Sequence, residues 1–187
     1  QWEPSRKAQD AFDCYVSNFK SGIHSNEDIT TVSDDTFIDL EPNLVVGGFP
    51  CQDYSVARSL SGEKGLQGKK GVLFWEIKRV IEKTNPKYVL LENVDRLLKS
   101  PASQRGRDFA VMLATFRDLN YTVEWRVINA ADYGFAQRRR RVFIFAYKNG
   151  IAFEKAQSKI SEDQIVFNEG FFAKPFPVEF EPYKNRI

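Results

Sequence analysis

Cys51 follows the apolar run Leu44-Val45-Val46 within Gly47-Gly48-Phe49-Pro50-Cys51-Gln52. An apolar run that gives way to glycine and proline predicts a buried strand ending in a loop, here one that carries a thiol. Ligands of open α/β sheets gather outside the carboxyl ends of the strands, so this thiol is placed to act as a nucleophile. Its alternative is a small packing residue. Glu92 comes directly after a second apolar run, Tyr88-Val89-Leu90-Leu91. A carboxyl group at that point can supply a proton or a hydrogen bond. Arg138-Arg139-Arg140-Arg141 precede a third run, Val142 to Ala146. Guanidinium groups there can hold phosphates or a carbonyl oxygen, the alternative being a solvated turn.

These groups must be brought together by the elements around them. Residues 49–72 hold four glycines and several lysines and predict a long loop, a length that is usually functional or mobile in a compact domain. Leu73, Phe74, Ile77, Val80 and Ile81 recur at helical spacing, and Asn85-Pro86 ends that helix. Strand, loop, helix and strand over residues 44–92 make a βαβ unit, which is right-handed and has parallel strands. Cys51 and Glu92 then follow two carboxyl ends on one edge of the sheet and face one cleft.

Farther along, Phe109 to Leu119 predict a helix. Tyr121, Val123, Trp125 and Val127 alternate with polar residues as in a strand, and Val142 to Ala146 form another, antiparallel to it across the turn at Asp132-Tyr133-Gly134. At the start of the chain, Pro4 and the apolar positions from Ala8 to Phe19 predict a helix with Gly22 as its cap, and Cys14 packs within it. Residues 26–30 are too short to assign and could end a strand. After Lys148 the phenylalanines stand among prolines, as in a connector.

The 187 residues suffice for one domain with a core. No apolar run is long enough to span a membrane, no signal peptide is visible, and two cysteines make no disulfide framework, so a reducing cytosol is the simplest home. A single histidine, His24, leaves no His-rich metal site or zinc cluster to assemble and makes a Cys–His hydrolase a poor reading. The net charge of +2 conceals a segregation: residues 1–50 hold 3 Lys and Arg against 9 Asp and Glu, whereas residues 51–148 hold 19 against 10. The basic excess lies with Cys51 and favours an anionic partner such as nucleic acid, or else is a solvated face.

In one basic cleft, a thiolate, a carboxyl group and guanidinium groups suit one reaction well. Carbon 5 of cytosine is too weak a nucleophile to take a methyl group unaided. A thiolate adding to carbon 6 makes carbon 5 enamine-like, and a carboxyl group at ring nitrogen 3 stabilises the adduct. Since the target atom is inaccessible within a duplex, the base must be flipped out.

The sequence resembles the cytosine-5 DNA methyltransferase family. Gly48-Phe49-Pro50-Cys51-Gln52 resembles its nucleophile motif, Glu92-Asn93-Val94 its Glu-Asn-Val motif, and Gln137 to Arg141 its Gln-x-Arg-x-Arg motif. Gly71-Val72-Leu73-Phe74 resembles the motif after its catalytic loop, while Trp2 and Asp28-Ile29 fall where the family contacts adenosine. The resemblance covers roughly residues 1–148, in order and spacing.

It implies a Rossmann-like, S-adenosylmethionine-dependent methyltransferase fold of the α/β class, with a mixed, mostly parallel sheet that is incomplete in this chain. Cys51 would be the nucleophile, Glu92 would contact ring nitrogen 3, and Asn93 would order the nucleophile loop. Arg141 would hold the ring carbonyl oxygen, and Arg139 a phosphate or the loop. Trp2 would stack on the adenine, Asp28 would accept from its amino group with Ile29 beside it, and Gly48, Pro50 and Leu73 would line the cofactor pocket. Residues 53–70 would close over double-stranded DNA. S-adenosylhomocysteine would be the product, with no metal and a monomeric parent enzyme, bacterial in preference to eukaryotic. Residues 1–148 would form a partial catalytic domain and 149–187 a connector toward a target-recognition domain. The family's upstream Phe-x-Gly-x-Gly segment is not in the chain and Gln1 replaces a usual glutamate, so an internal portion of a longer protein is expected. Two other readings stand beside this one: the tRNA-methylating branch, from which Phe49 and Asp53 lean away, and a non-catalytic copy that only binds nucleic acid.

Overall fold

Period-two alternation decides which side chains meet on either side of the sheet. In the computed structural model, which describes residues 7–49, 72–100 and 104–178, four strands form a mixed sheet: β1 (Leu44–Gly48), β2 (Tyr88–Val94), β3 (Tyr121–Asn129) and β4 (Arg140–Lys148), in the order β1-β2-β4-β3. β1 and β2 are parallel, as the βαβ pattern requires, with Gly48 opposite Glu92. β4 lies antiparallel between β2 and β3.

On one face Val89, Leu91, Val142, Ile144 and Ala146 are buried beneath two helices, α3 (Val72–Thr84) and α4 (Arg107–Asp118). Phe74, Ile77 and Ile81 of α3 and Phe109, Met112 and Phe116 of α4 supply the cover, at the helical spacing read from the sequence. Before α4, the 3-10 turn Asp95–Lys99 buries Leu97, and Ser100 Oγ donates to the buried Asp108 carboxylate at 2.7 Å.

The opposite face carries Tyr88, Leu90, Phe143, Phe145 and Tyr147. The stretch expected to act as a connector forms part of the packing here, as far as residue 176. It contains α5 (Ala152–Gln157), the short α6 (Glu162–Gln164) and a π-helical turn (Ile165–Glu169), and Phe153, Phe172 and Phe176 pack against the sheet. Apolar side chains of this stretch gain more from covering an open sheet face than from remaining in water. At the far edge among the described strands, β1 leaves Val46 66 % exposed on this same face.

Several boundaries differ from expectation. β2 runs through Glu92 and Asn93 to Val94 because Phe143, Val142 and Arg141 of β4 continue the ladder. β4 begins two residues early, at Arg140, for the same reason. Residues 26–30 form no strand: the Asp28 side chain accepts from Thr30 N–H at 3.0 Å and its carbonyl from Thr31 N–H at 2.8 Å, the local bonding by which aspartate favours a turn.

The chain divides into two compact units, residues 1–40 and 41–187. The first holds α1 (Asp10–Asn18), none of whose side chains is buried, and α2 (Asp34–Ile38), capped by Ser33, whose Oγ accepts from Thr36 N–H. Helix α1 begins at Asp10, later than the expected start at Pro4, which lies outside the described residues. Among the described residues no helix is long and apolar enough to cross a membrane.

Candidate active site

Glu92 and Arg141 meet at one end of the sheet. They lie on adjacent antiparallel strands, offset by two residues, since Glu92 stands opposite Phe143 and Arg141 opposite Val94. Such diagonal neighbours are within reach of long side chains. Arg141 Nε lies 2.8 Å from Glu92 Oε1, with the two side chains 24 % and 39 % exposed respectively. The pair is partly screened by the sheet but open enough to meet a ligand. Arg141 also donates through Nη1 to the Arg140 carbonyl at 2.7 Å, which fixes the guanidinium along the strand.

Gly48 ends the neighbouring parallel strand, opposite Glu92. A Cβ built at Gly48 would lie 3.4 Å from Glu92 Oε2, so the carboxylate sits between a guanidinium on one side and a bare backbone on the other. A glycine here leaves room for that carboxylate, a reason the sequence alone did not supply.

Asn93 faces the opposite way and is 2 % exposed. Its Nδ2 donates to the Phe49 carbonyl at 2.8 Å, and its Oδ1 accepts from Val94 N–H at the same distance. The side chain thus ties the exit of β1 to the end of β2, two residues before Cys51. Buried polar groups are costly without partners, so Asn93→Ala should lower stability by about 2 kcal/mol. Asn93→Asp should cost more, because an acceptor then faces the Phe49 carbonyl. Chemical denaturation of the full-length protein compares the two variants, and equal midpoints for wild type and Asn93→Ala would contradict the tie.

The arginine run splits by position. Arg138 and Arg139 are exposed, and the Arg139 carbonyl accepts from Ala130 N–H at 3.1 Å, closing the loop between β3 and β4. Arg140 and Asp95 form an ion pair with Nε 3.0 Å from Oδ2, a contact the sequence reading did not anticipate. Its signal was the register: Asp95 follows Val94 as Arg140 precedes Arg141, so the two are the next opposed positions on the ladder.

Of the other expected site residues, Leu73 is half-buried at the start of α3 and packs against the main core. Asp28 and Ile29 are half-buried in the 1–40 unit. Trp2, Pro50 and Cys51, together with the loop 53–70, lie outside the described residues. The donor chemistry present fits an adenosyl group: the Asp28 carboxylate is oriented by Thr30 N–H and, when ionised, has acceptor capacity left for an amino group. Among the described residues no cluster of His, Cys, Asp and Glu could hold a metal ion.

Over its whole length the chain is 66 % identical to the type II methyltransferase M.Sau3AI of Staphylococcus aureus, covering 45 % of that protein. It is 31 % identical over 147 residues to the type II methyltransferase M.HhaI of Haemophilus parahaemolyticus, covering 79 % of this chain and 42 % of that one. The chain therefore spans less than half the length of either relative. In fold it is similar to a Spodoptera frugiperda DNMT2 crystal structure, with a TM-score of 0.61 at 17 % identity over 78 % of this chain and 41 % of that one. Residues 4–172 match the profile of the C-5 cytosine-specific DNA methylases, and the chain belongs to that family.

Proposed function

We propose that the full-length protein is a type II DNA methyltransferase that transfers a methyl group from S-adenosylmethionine to carbon 5 of a flipped-out cytosine. The observation that carries this reading is the Glu92–Arg141 pair beside the strand that leads into Cys51. Ring nitrogen 3 and the ring carbonyl oxygen of cytosine are separated by a single carbon. A carboxyl group and a guanidinium 2.8 Å apart match two such neighbouring atoms.

In this reading Arg141 holds the carbonyl oxygen and Glu92 presents a proton to nitrogen 3. The Cys51 thiolate donates its electron pair to carbon 6, and the electrons displaced into the ring are stabilised as nitrogen 3 takes the Glu92 proton. Carbon 5, now enamine-like, forms the new bond to the methyl group. Loss of the proton from carbon 5, return of the nitrogen 3 proton to Glu92 and expulsion of the thiolate restore the aromatic ring. S-adenosylmethionine, when bound, supplies the methyl as an electrophile on a sulfonium centre and leaves as S-adenosylhomocysteine. Asp28 and Ile29, with Trp2, would hold its adenine, and Gly48, Pro50 and Leu73 would line the remainder of its pocket. Asn93 keeps the base of the nucleophile loop in place, and Arg139 meets a backbone phosphate or the loop. The likeness to type II methyltransferases supports double-stranded DNA as the substrate.

The test is covalent trapping. A fluorine on carbon 5 cannot leave as a proton, so the full-length protein with S-adenosylmethionine should form a denaturation-resistant adduct with duplex DNA containing 5-fluorocytosine. Failure to form it would remove the reading, and an adduct with tRNA but not with DNA would move the protein to the RNA-modifying branch.

A further inference from the structure

β3 presents Thr122, Glu124 and Arg126 on the face that residues 149–176 cover. Arg126 donates Nη1 to the Phe172 carbonyl at 2.8 Å and to the Phe176 carbonyl at 2.5 Å, and Nη2 to the Val166 carbonyl. Beside it Glu124 Oε2 accepts from Phe171 N–H at 2.9 Å. Burial moves both groups toward their neutral forms, Glu124 upward and Arg126 downward, so neither is freely solvated. Both therefore depend on these protein partners.

The segment they grip has little freedom to lie elsewhere. A Cβ at Gly170 would fall 2.3 Å from the Ile165 carbonyl and 2.6 Å from Glu124 Oε2, so only glycine allows the close approach. The Phe171 ring stacks on Phe145 of β4 with centroids 3.8 Å apart. Across the sheet, Arg126 stands opposite Phe143 and Phe143 opposite Glu92, all on one face. At the usual strand spacing Arg126 is thus about 10 Å from Glu92, with a single side chain intervening. Phe143 packs in the same apolar cluster as Phe172 and Phe176. Whatever fixes residues 165–176 therefore also backs the strand position next to Glu92.

We propose that Arg126, assisted by Glu124, is a positioning residue for methyl transfer: by gripping residues 166–176 it holds Phe143 in place and so keeps the Glu92–Arg141 pair in its working geometry. This rests on the methyltransferase reading above.

The experiment uses the full-length protein and its Arg126→Met and Arg126→Lys variants. It follows hydrogen exchange at residues 165–176 together with kcat and KM for methylation of duplex DNA. In Arg126→Met the amides of the segment should exchange about tenfold faster. Its kcat should fall about tenfold, while KM for S-adenosylmethionine stays within about twofold. Arg126→Lys keeps the charge and some donors without the planar fork, and should recover most of both losses in parallel. Fast exchange with wild-type kcat, in either variant, would make the grip purely structural and overturn the proposal. Should Arg126→Met fail to fold, Arg126→Gln, which is too short to reach all three carbonyls, takes its place in the same comparison. A wild-type protein that methylates nothing fails in the first arm, before any variant is compared, and takes the methyltransferase reading down with the proposal.

Discussion

Cys51→Ser in the full-length protein should leave neither methyl transfer nor an adduct with 5-fluorocytosine DNA. A cysteine at its ordinary pKa of about 8.5 already holds a few per cent thiolate near neutral pH, whereas a serine hydroxyl needs an adjacent base to become a nucleophile. The chain has a single histidine, His24, and the described side chains beside the end of β1 are a carboxylate and a guanidinium group. None of these supplies the relay that serine enzymes use. Affinity for DNA should survive, because the exposed Arg138 and Arg139 are untouched. Gel mobility under denaturing conditions reads the adduct, and a filter-binding titration reads the affinity. A serine variant that still traps the fluorinated base would exclude Cys51 as the nucleophile.

Glu92→Gln should lower kcat by about 10² to 10⁴, the range expected when a proton donor in the transition state is lost. Glutamine nearly preserves the shape and can still accept a hydrogen bond from Arg141 through its carbonyl oxygen, so the strand ends should stay in register. What it loses is the ionisable proton that nitrogen 3 needs as charge develops in the ring. Single-turnover methylation at saturating DNA and S-adenosylmethionine isolates this loss from any change in binding. Near-wild-type turnover in Glu92→Gln would reduce Glu92 to a partner for Arg141.

Much of this site could be anticipated from the chain because its parts are local. The apolar runs before Cys51 and Glu92 mark strand ends, and the intervening helix forces them to be parallel, which places Gly48 opposite Glu92. The antiparallel pairing of β3 and β4 followed from the turn at residues 132–134, where Gly134 takes a φ of +86° that favours glycine. Register between distant strands could not be read in this way. That Arg141 reaches Glu92 while Arg140 takes Asp95 depends on a ladder between β2 and β4, whose partners are far apart in sequence. Alternation also misled on one face. Thr122, Glu124 and Arg126 look like a water-facing row, yet Glu124 and Arg126 bond to a later segment whose prolines and phenylalanines show no helical or strand periodicity.

The insertion of β4 between β2 and β3 has a consequence for how the chain matures on the ribosome. Glu92 emerges early, but its guanidinium partner arrives only after residues 93–140 have been synthesised and the β3–β4 hairpin can swing in beside β2. Contacts within that hairpin are near in sequence and form readily, whereas the closure onto β2 spans a long loop and comes at greater entropic cost. A nascent polypeptide stalled before Arg141 therefore carries the acid without its cation. The acid and its cation are joined only when the hairpin docks along the edge of β2.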